Sequence, residues 1–140
     1  MGLSAIQIAR ETVKTPGGEF AVRGLSTSDI IVLVREHKDF LTEVFAKVSP
    51  GAKDQIVEFS EIAAYAIANG PMTVARVIAL AADSPDEVEV AAALPFPVQL
   101  EALETIGKLT FEVSGGVKNV LETVIRLSQG MTGLANTLRA

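Results

Sequence analysis

The middle of the chain holds a segment, residues 72–82, whose side chains would be apolar in every direction around a helix. Only Thr73 and Arg76 interrupt it. A helix of this composition is stable in water only when other elements surround it. Before it, Gly70 favours a left-handed helix end and Pro71 a new helix start. The segment therefore predicts the central helix of a bundle.

Helical spacing or helix-boundary residues mark further segments on both sides. Ser26 and Asp29 are suited to begin a helix that continues, bent or as two joined helices, to about Val48. Ser84 is suited to cap a short helix that Pro85 opens and that ends near residue 93. Other helices are predicted over about residues 54–68, 97–113 and 117–138.

The N-terminal residues alternate between apolar and polar instead. Ile6 and Ile8 fall on one register, Val13 follows before Pro16-Gly17-Gly18, and a shorter alternation continues over residues 19–23. Proline and glycine in this arrangement are typical of a turn. The pattern predicts a β-hairpin with a loop of three or four residues, which must pack on helices because a lone hairpin is marginal in water.

Together these elements predict a mainly α fold: a small helical bundle of five to seven helices with an N-terminal β-hairpin. A length of 140 residues fits one domain. Within a single domain, residues 1–140, we expect a hairpin at 5–24, a helical body at 26–93 and C-terminal helices at 97–140. The two prolines at 95 and 97 separate the last two parts.

Side chains that perform chemistry are scarce. The chain has one histidine and no cysteine, and His37 sits among charged helical neighbours that do not face it, so a solvated histidine is expected. The acidic residues Asp83, Asp86, Glu87 and Glu89 suit a helix N-terminus and lack the spacing of a calcium loop. We expect no catalytic residue, no metal site and no cofactor.

Charge and hydropathy limit the partners. Residues 54–89 carry seven acidic side chains and one arginine, and no basic stripe for nucleic acid occurs. The longest uncharged stretch, residues 62–75, is 14 residues long and shorter than a membrane-spanning helix. Proteins are therefore the expected partners, rather than nucleic acid or membranes.

The last segment repeats apolar residues every seven positions, in two series offset by three. We call this set the C-terminal seam and take it as the candidate partner-binding site, although Gly130 and Gly133 interrupt it. One interpretation is an ordinary core helix, and the other is a helix that docks on a partner. The seam, with the adjacent Leu121, comprises Val117, Val120, Leu121, Val124, Leu127, Met131, Leu134 and Leu138.

The sequence from Phe20 to Ser26 (FAVRGLS), followed by Asp29-Ile30 and residues 33–37 (LVREH), resembles the opening of tail assembly chaperones of long-tailed bacteriophages. The resemblance implies a protein that coats the tape measure protein and keeps it soluble until tail tube polymerisation. It also implies a homo-oligomer, located in the host cell cytoplasm and absent from the mature virion, with the tail tube protein as a further partner.

Two other functions stay open on sequence grounds. One is a non-enzymatic helical adaptor or structural subunit, such as a virion connector, and the other is an enzyme with an unrecognised site. A virion subunit would co-purify with particles, whereas a chaperone would not. An enzyme would show a polar pocket near His37 or near the acidic residues.

Overall fold

A computed structural model describes residues 2–48, 58–111 and Arg126. The described part is mainly helical and begins with a two-stranded antiparallel sheet, which confirms the predicted fold class. A 3-10 turn at Leu3–Ala5 precedes the sheet. The elements are β1 (Arg10–Thr15), β2 (Gly18–Arg23), α1 (Thr27–Val48), α2 (Phe59–Asn69), α3 (Pro71–Ala81), α4 (Val88–Ala92) and α5 (Phe96–Phe111).

The hairpin is tighter and starts later than the alternation predicts. Thr15 pairs with Gly18, so only Pro16 and Gly17 form the turn, rather than three or four residues. The Thr15 hydroxyl closes this turn by accepting the N–H of Gly17 at 3.1 Å and donating to the Gly18 carbonyl at 2.9 Å. Gly18 has φ +149°, which side chains disfavour. Ile6 and Ile8 precede β1 and lie outside the hairpin.

Helix α3 forms the centre of the bundle, as its composition predicts. The hairpin covers it from one side, through Val13 and Val22, which are both fully buried. Helices α1, α2, α4 and α5 pack around the rest of it. Burial of this kind supplies most of the stability of a small helical domain. Among the described residues, α3 and α5 contribute most of the main core.

Helix α1 is a single bent helix, one of the two predicted alternatives. His37 interrupts its regular backbone with φ −133° and ψ 31°. At its start, Ser26 Oγ accepts the N–H of Asp29 at 3.1 Å, and Asp29 Oδ2 accepts the N–H of Ser26 at 2.9 Å. This reciprocal pair is a capping box, so the predicted start is confirmed.

The junction between α2 and α3 lies where it is predicted, but the conformation predicted for Gly70 and the capping role predicted for Ser84 are wrong. Gly70 has φ −136° rather than a left-handed φ; a Cβ there would lie 2.6 Å from the ring of Phe40, so the glycine provides space for that ring. Ser84 does not cap α4, which begins at Val88, after Pro85, because its hydroxyl donates to the Ala82 carbonyl at 3.4 Å instead.

No single helix in residues 2–48 and 58–111 is long and apolar enough to cross a membrane. Helices α2 and α3 reach such a length and hydropathy only when they are taken together, and the two helix axes are bent by 116° at their junction.

Candidate partner-binding surfaces

The predicted partner-binding residues of the C-terminal seam all lie outside the described residues. Arg126, which is helical and exposed, is the one described position beyond Phe111. The described part of the chain presents apolar surface of its own, in two places.

The first apolar surface is a groove that we call the α1–α5 groove. It lies between these two helices, with α2 and α3 along its base, and its cavity volume is about 150 Å³. Its walls are almost entirely apolar. From α1 they include Ile30, Leu33, Phe40, Leu41 and Val44; from α2 and α3, Phe59, Ile62, Ala66, Val74 and Val77; from α5, Leu103, Ile106, Gly107 and Phe111.

The two hydroxyl groups in the walls of the groove are already engaged. Thr73 Oγ1 lies 2.9 Å from Nδ1 of His37. Thr110 Oγ1 donates to the Ile106 carbonyl at 2.7 Å and accepts the N–H of Leu25 at 3.0 Å. Since neither hydroxyl is left to polarise a ligand, the groove is suited to hold apolar side chains rather than to perform acid–base chemistry.

His37 differs from the expected solvated histidine. The side chain is half-buried at the bend of α1 and contacts Thr73 of the central helix. The spacing of residues 30, 33, 37, 40 and 44 is the same alternation of three and four that marks the C-terminal seam. This spacing was the available signal for the groove, because it indicates a helix with a continuous contact stripe. The stripe was not recognised in the sequence because its middle position is a histidine rather than an apolar residue.

The second apolar surface is the N-terminal segment before β1. The exposed fractions are 86% for Leu3, 66% for Ile6 and 63% for Ile8. Single exposed apolar residues are normal on the surface of a monomer. Three large exposed aliphatic side chains so close together in sequence are more typical of an interaction surface. The strand predicted for Ile6 and Ile8 would have buried one face, and the structure leaves both side chains in water.

The resemblance motif forms a junction between the hairpin, α1 and α3. Arg23 Nη1 contacts Asp29 Oδ2 at 2.7 Å, and Nη2 contacts Asp83 Oδ1 at 2.9 Å and the Leu80 carbonyl at 3.1 Å. Arg10 Nη1 contacts the other oxygen of Asp83 at 2.6 Å. We call these four charged residues, Arg10, Arg23, Asp29 and Asp83, the Arg23 cluster. Asp83, one of the four acidic residues expected at a helix N-terminus, is thus an ion-pair partner of Arg10 and Arg23.

The two arginines of the Arg23 cluster shift the pKa values of Asp29 and Asp83. Burial alone would raise the pKa of Asp29, but the hydrogen bonds from Arg23 and from the Ser26 N–H outweigh burial, so the pKa lies below its ordinary value. Hydrogen bonds from Arg23 and Arg10 lower the pKa of Asp83. Asp83 has φ +56°, a left-handed conformation that aspartate tolerates better than most side chains.

Gly24, next to Arg23, brings the chain against the end of α5. A Cβ on Gly24 would lie 2.9 Å from the carbonyl oxygen and 3.0 Å from the carbonyl carbon of Leu109. The following N–H, from Leu25, donates to Thr110. Glycine is therefore required at this position for close approach, and the sequence RGLS joins the hairpin, α1 and α5.

No part of the described chain gathers metal ligands. Residues 2–48, 58–111 and 126 contain no group of three or more histidine, aspartate or glutamate side chains that could hold a metal ion. The acidic residues 86, 87 and 89 are exposed around the start of α4. Their arrangement matches the helix N-terminus predicted for them.

Comparison with known protein families gives a match over the whole chain. A family model described as pre-tape measure protein matches residues 1–140, which is the whole chain. No curated protein matches the chain, and no solved structure matches it. The match includes the Arg23 cluster, the α1–α5 groove and the C-terminal seam.

Proposed function

Because the chain belongs to the pre-tape measure protein family, we propose that it is a bacteriophage tail assembly chaperone, which binds the tape measure protein and keeps it soluble until the tail tube polymerises. The family assigns the chain to tail and tape measure assembly and to no known class of enzyme. The chaperone action itself is the proposal, and it is supported by the apolar surface that the described residues leave available.

The observation that carries the proposal is the α1–α5 groove. A cavity of about 150 Å³ with apolar walls has the size of one that accepts a small hydrocarbon. It therefore fits one or two aliphatic side chains of a partner rather than a whole helix. Ile30 and Leu41 line the groove and are only half-buried, so part of each side chain is exposed to a partner.

The small size of the groove also fits a partner that is long. Burying one aliphatic side chain contributes about 2 kcal/mol, whereas association costs at least about 4 kcal/mol. A single groove contact is therefore weak. Many copies on one long chain, in contact with each other, can together hold it firmly. We propose that the chaperone acts as a homo-oligomer, in which Leu3, Ile6 and Ile8 provide surface between copies.

The C-terminal seam is proposed as the second contact with the tape measure protein. Its heptad spacing suits packing against an amphipathic helix, and Gly130 and Gly133 weaken it as an isolated helix. The excess of acidic side chains in residues 54–89 favours solubility of the loaded complex. Tail tube protein is the proposed competitor that releases the chaperone in the host cytoplasm.

Co-expression with the tape measure protein of the same phage tests the proposal. We expect wild-type protein to raise the soluble fraction of the tape measure protein. Leu41→Asp should weaken each contact roughly 30-fold, the equivalent of about 2 kcal/mol. The double variant Val124→Asp/Leu127→Asp should abolish solubilisation. Soluble tape measure protein is quantified by immunoblot and by pull-down.

The matched control replaces an exposed apolar residue away from the groove. Val90 on α4 is 61% exposed and does not line the groove, so Val90→Asp should leave solubilisation unchanged. Far-UV circular dichroism identifies variants that unfold. Normal solubilisation by folded Leu41→Asp would rule out the groove, and unfolding of the seam variant would place the seam in the core.

A further inference from the structure

We propose that, before the tape measure protein arrives, the C-terminal seam of the same chain occupies the α1–α5 groove. The tape measure protein would then displace the seam from the groove on binding. The displacement step rests on the proposed function, whereas occupation of the groove by the seam does not. The argument uses the place where α5 ends, the spacing of the apolar residues and the shortness of the connection.

Helix α5 delivers the chain to the groove. Its last turns line the groove through Ile106, Gly107 and Thr110, and its final residue, Phe111, is itself part of the wall. The connection from Phe111 to Val117, the first seam residue, can span at most about 20 Å. It contains Gly115 and Gly116, which permit a change of direction.

The seam and α1 have matching patterns. Groove residues 30, 33, 40 and 44 of α1, with His37 between them, alternate in steps of three and four. The seam alternates in the same steps, and helices with this repeat pack along each other. Both patterns are also interrupted: α1 bends at His37, and the seam contains Gly130 and Gly133.

Proximity favours the chain's own seam over a second copy or another protein. A short connection gives the seam an effective concentration in the millimolar range near the groove, far above the concentration of free chains in a dilute sample. The seam segment, residues 117–138, also carries few charges: Lys118, Glu122 and Arg126. Such a segment matches an apolar groove. An occupied groove would also restrict association between copies through the groove itself, while the surface of Leu3, Ile6 and Ile8 stays exposed.

Disulfide trapping in the full chain tests this inference, because the natural sequence contains no cysteine. Leu41→Cys/Leu127→Cys places one thiol in the groove and one on the seam. After oxidation of a dilute sample, we expect a disulfide within one chain, in about tenfold higher yield than for Leu41→Cys/Gln129→Cys. Gln129 is two residues from Leu127 and lies off the seam, so it is the matched control.

Electrophoresis and intact mass distinguish the outcomes. Equal yields for the two pairs, or no disulfide in either, would overturn the inference, as would disulfides only between two chains, which indicate that a second copy fills the groove. Ile30→Cys provides a second groove position, should Leu41→Cys disturb the circular dichroism spectrum. Bound tape measure protein should lower the disulfide yield; failure to bind it would contradict the proposed function and leave the trapping result standing.

Discussion

Arg23 connects residues that are far apart in the sequence. Its guanidinium contacts Asp29 at the start of α1 and Asp83 just after the end of α3. The side chains of Arg23 and Asp29 are 12% and 9% exposed, so the two charges depend on each other: removal of one partner from a buried pair leaves the other without compensation. This pair therefore ties the hairpin to the helical body.

Removal of the Arg23 cation should make the free energy of unfolding less dependent on pH in the acidic range. Because the pKa values of Asp29 and Asp83 are lowered in the folded state, their stabilising effect is present above the unfolded pKa of about 4 and is lost as the pH falls through the folded values. We expect Arg23→Gln to cost about 3 kcal/mol at pH 7 and much less at pH 2.5. Urea unfolding followed by circular dichroism measures both.

Lys108→Gln is the control for this prediction. Lys108 contacts Glu11 at 3.2 Å, with side chains 55% and 43% exposed, and an exposed pair is worth less than about 1 kcal/mol. We expect a small effect at both pH values. A loss from Arg23→Gln that is the same at pH 2.5 and pH 7 would show that packing of the arginine, rather than its charge, stabilises the junction.

Local sequence was sufficient for some of these contacts and not for others. Ser26 and Asp29 are three residues apart, and their capping role follows from that spacing. The contact between Arg23 and Asp83 joins residues 60 positions apart. No local pattern specifies such a pair, because it depends on how the hairpin packs on the helices.

Gly24 determines how closely the hairpin and α5 approach. The neighbouring atoms belong to the backbone of Leu109 and cannot rotate away. We expect Gly24→Ala to destabilise the protein by about 1–3 kcal/mol, the range for overpacking of a tight contact. Thermal and urea unfolding, followed by circular dichroism, provide the measurement.

Gly17→Ala is the comparison for Gly24→Ala. A Cβ on Gly17 would meet only the hydroxyl of Thr15, at 4.0 Å, so we expect a change near zero. The pair of variants separates the space that glycine provides from its backbone freedom. Equal effects of the two substitutions would contradict the close approach of Gly24 to α5.

Periodicity predicted the helices better than it predicted the hairpin. The apolar composition of residues 72–82 was sufficient to place α3 at the centre. A helix that is apolar on all sides must be buried, whichever elements pack around it. Alternation also extended over Ile6 and Ile8, where the structure has no strand. An alternating pattern forms a strand only where a partner strand lies beside it, and β2 ends opposite Arg10.

The groove could be predicted only in part. The spacing of 30, 33, 40 and 44 indicated a contact stripe on α1, but a stripe does not show whether the protein's own interior fills it. The gap between α1 and α5 arises from the packing of four helices. The partner-binding residues predicted for the seam lie outside the described residues, and their role stays a prediction.

The proposed chaperone should be absent from finished particles. We expect mass spectrometry of lysates from infected cells to detect both the chain and the tape measure protein. In purified virions, we expect it to detect the tape measure protein and not the chain. A chaperone that tube subunits displace leaves no copies behind. A constant number of copies in each virion would instead support the alternative of a structural subunit.

The bend at His37 limits how much of a partner one molecule can cover. It divides α1 into two straight parts of about ten residues, each roughly 15 Å long. A rigid partner helix that follows one part diverges from the other, so the footprint of a single copy is short. If the tape measure protein is bound through this wall, its length sets the number of copies it recruits, and shortening it by deletion should reduce that number in proportion.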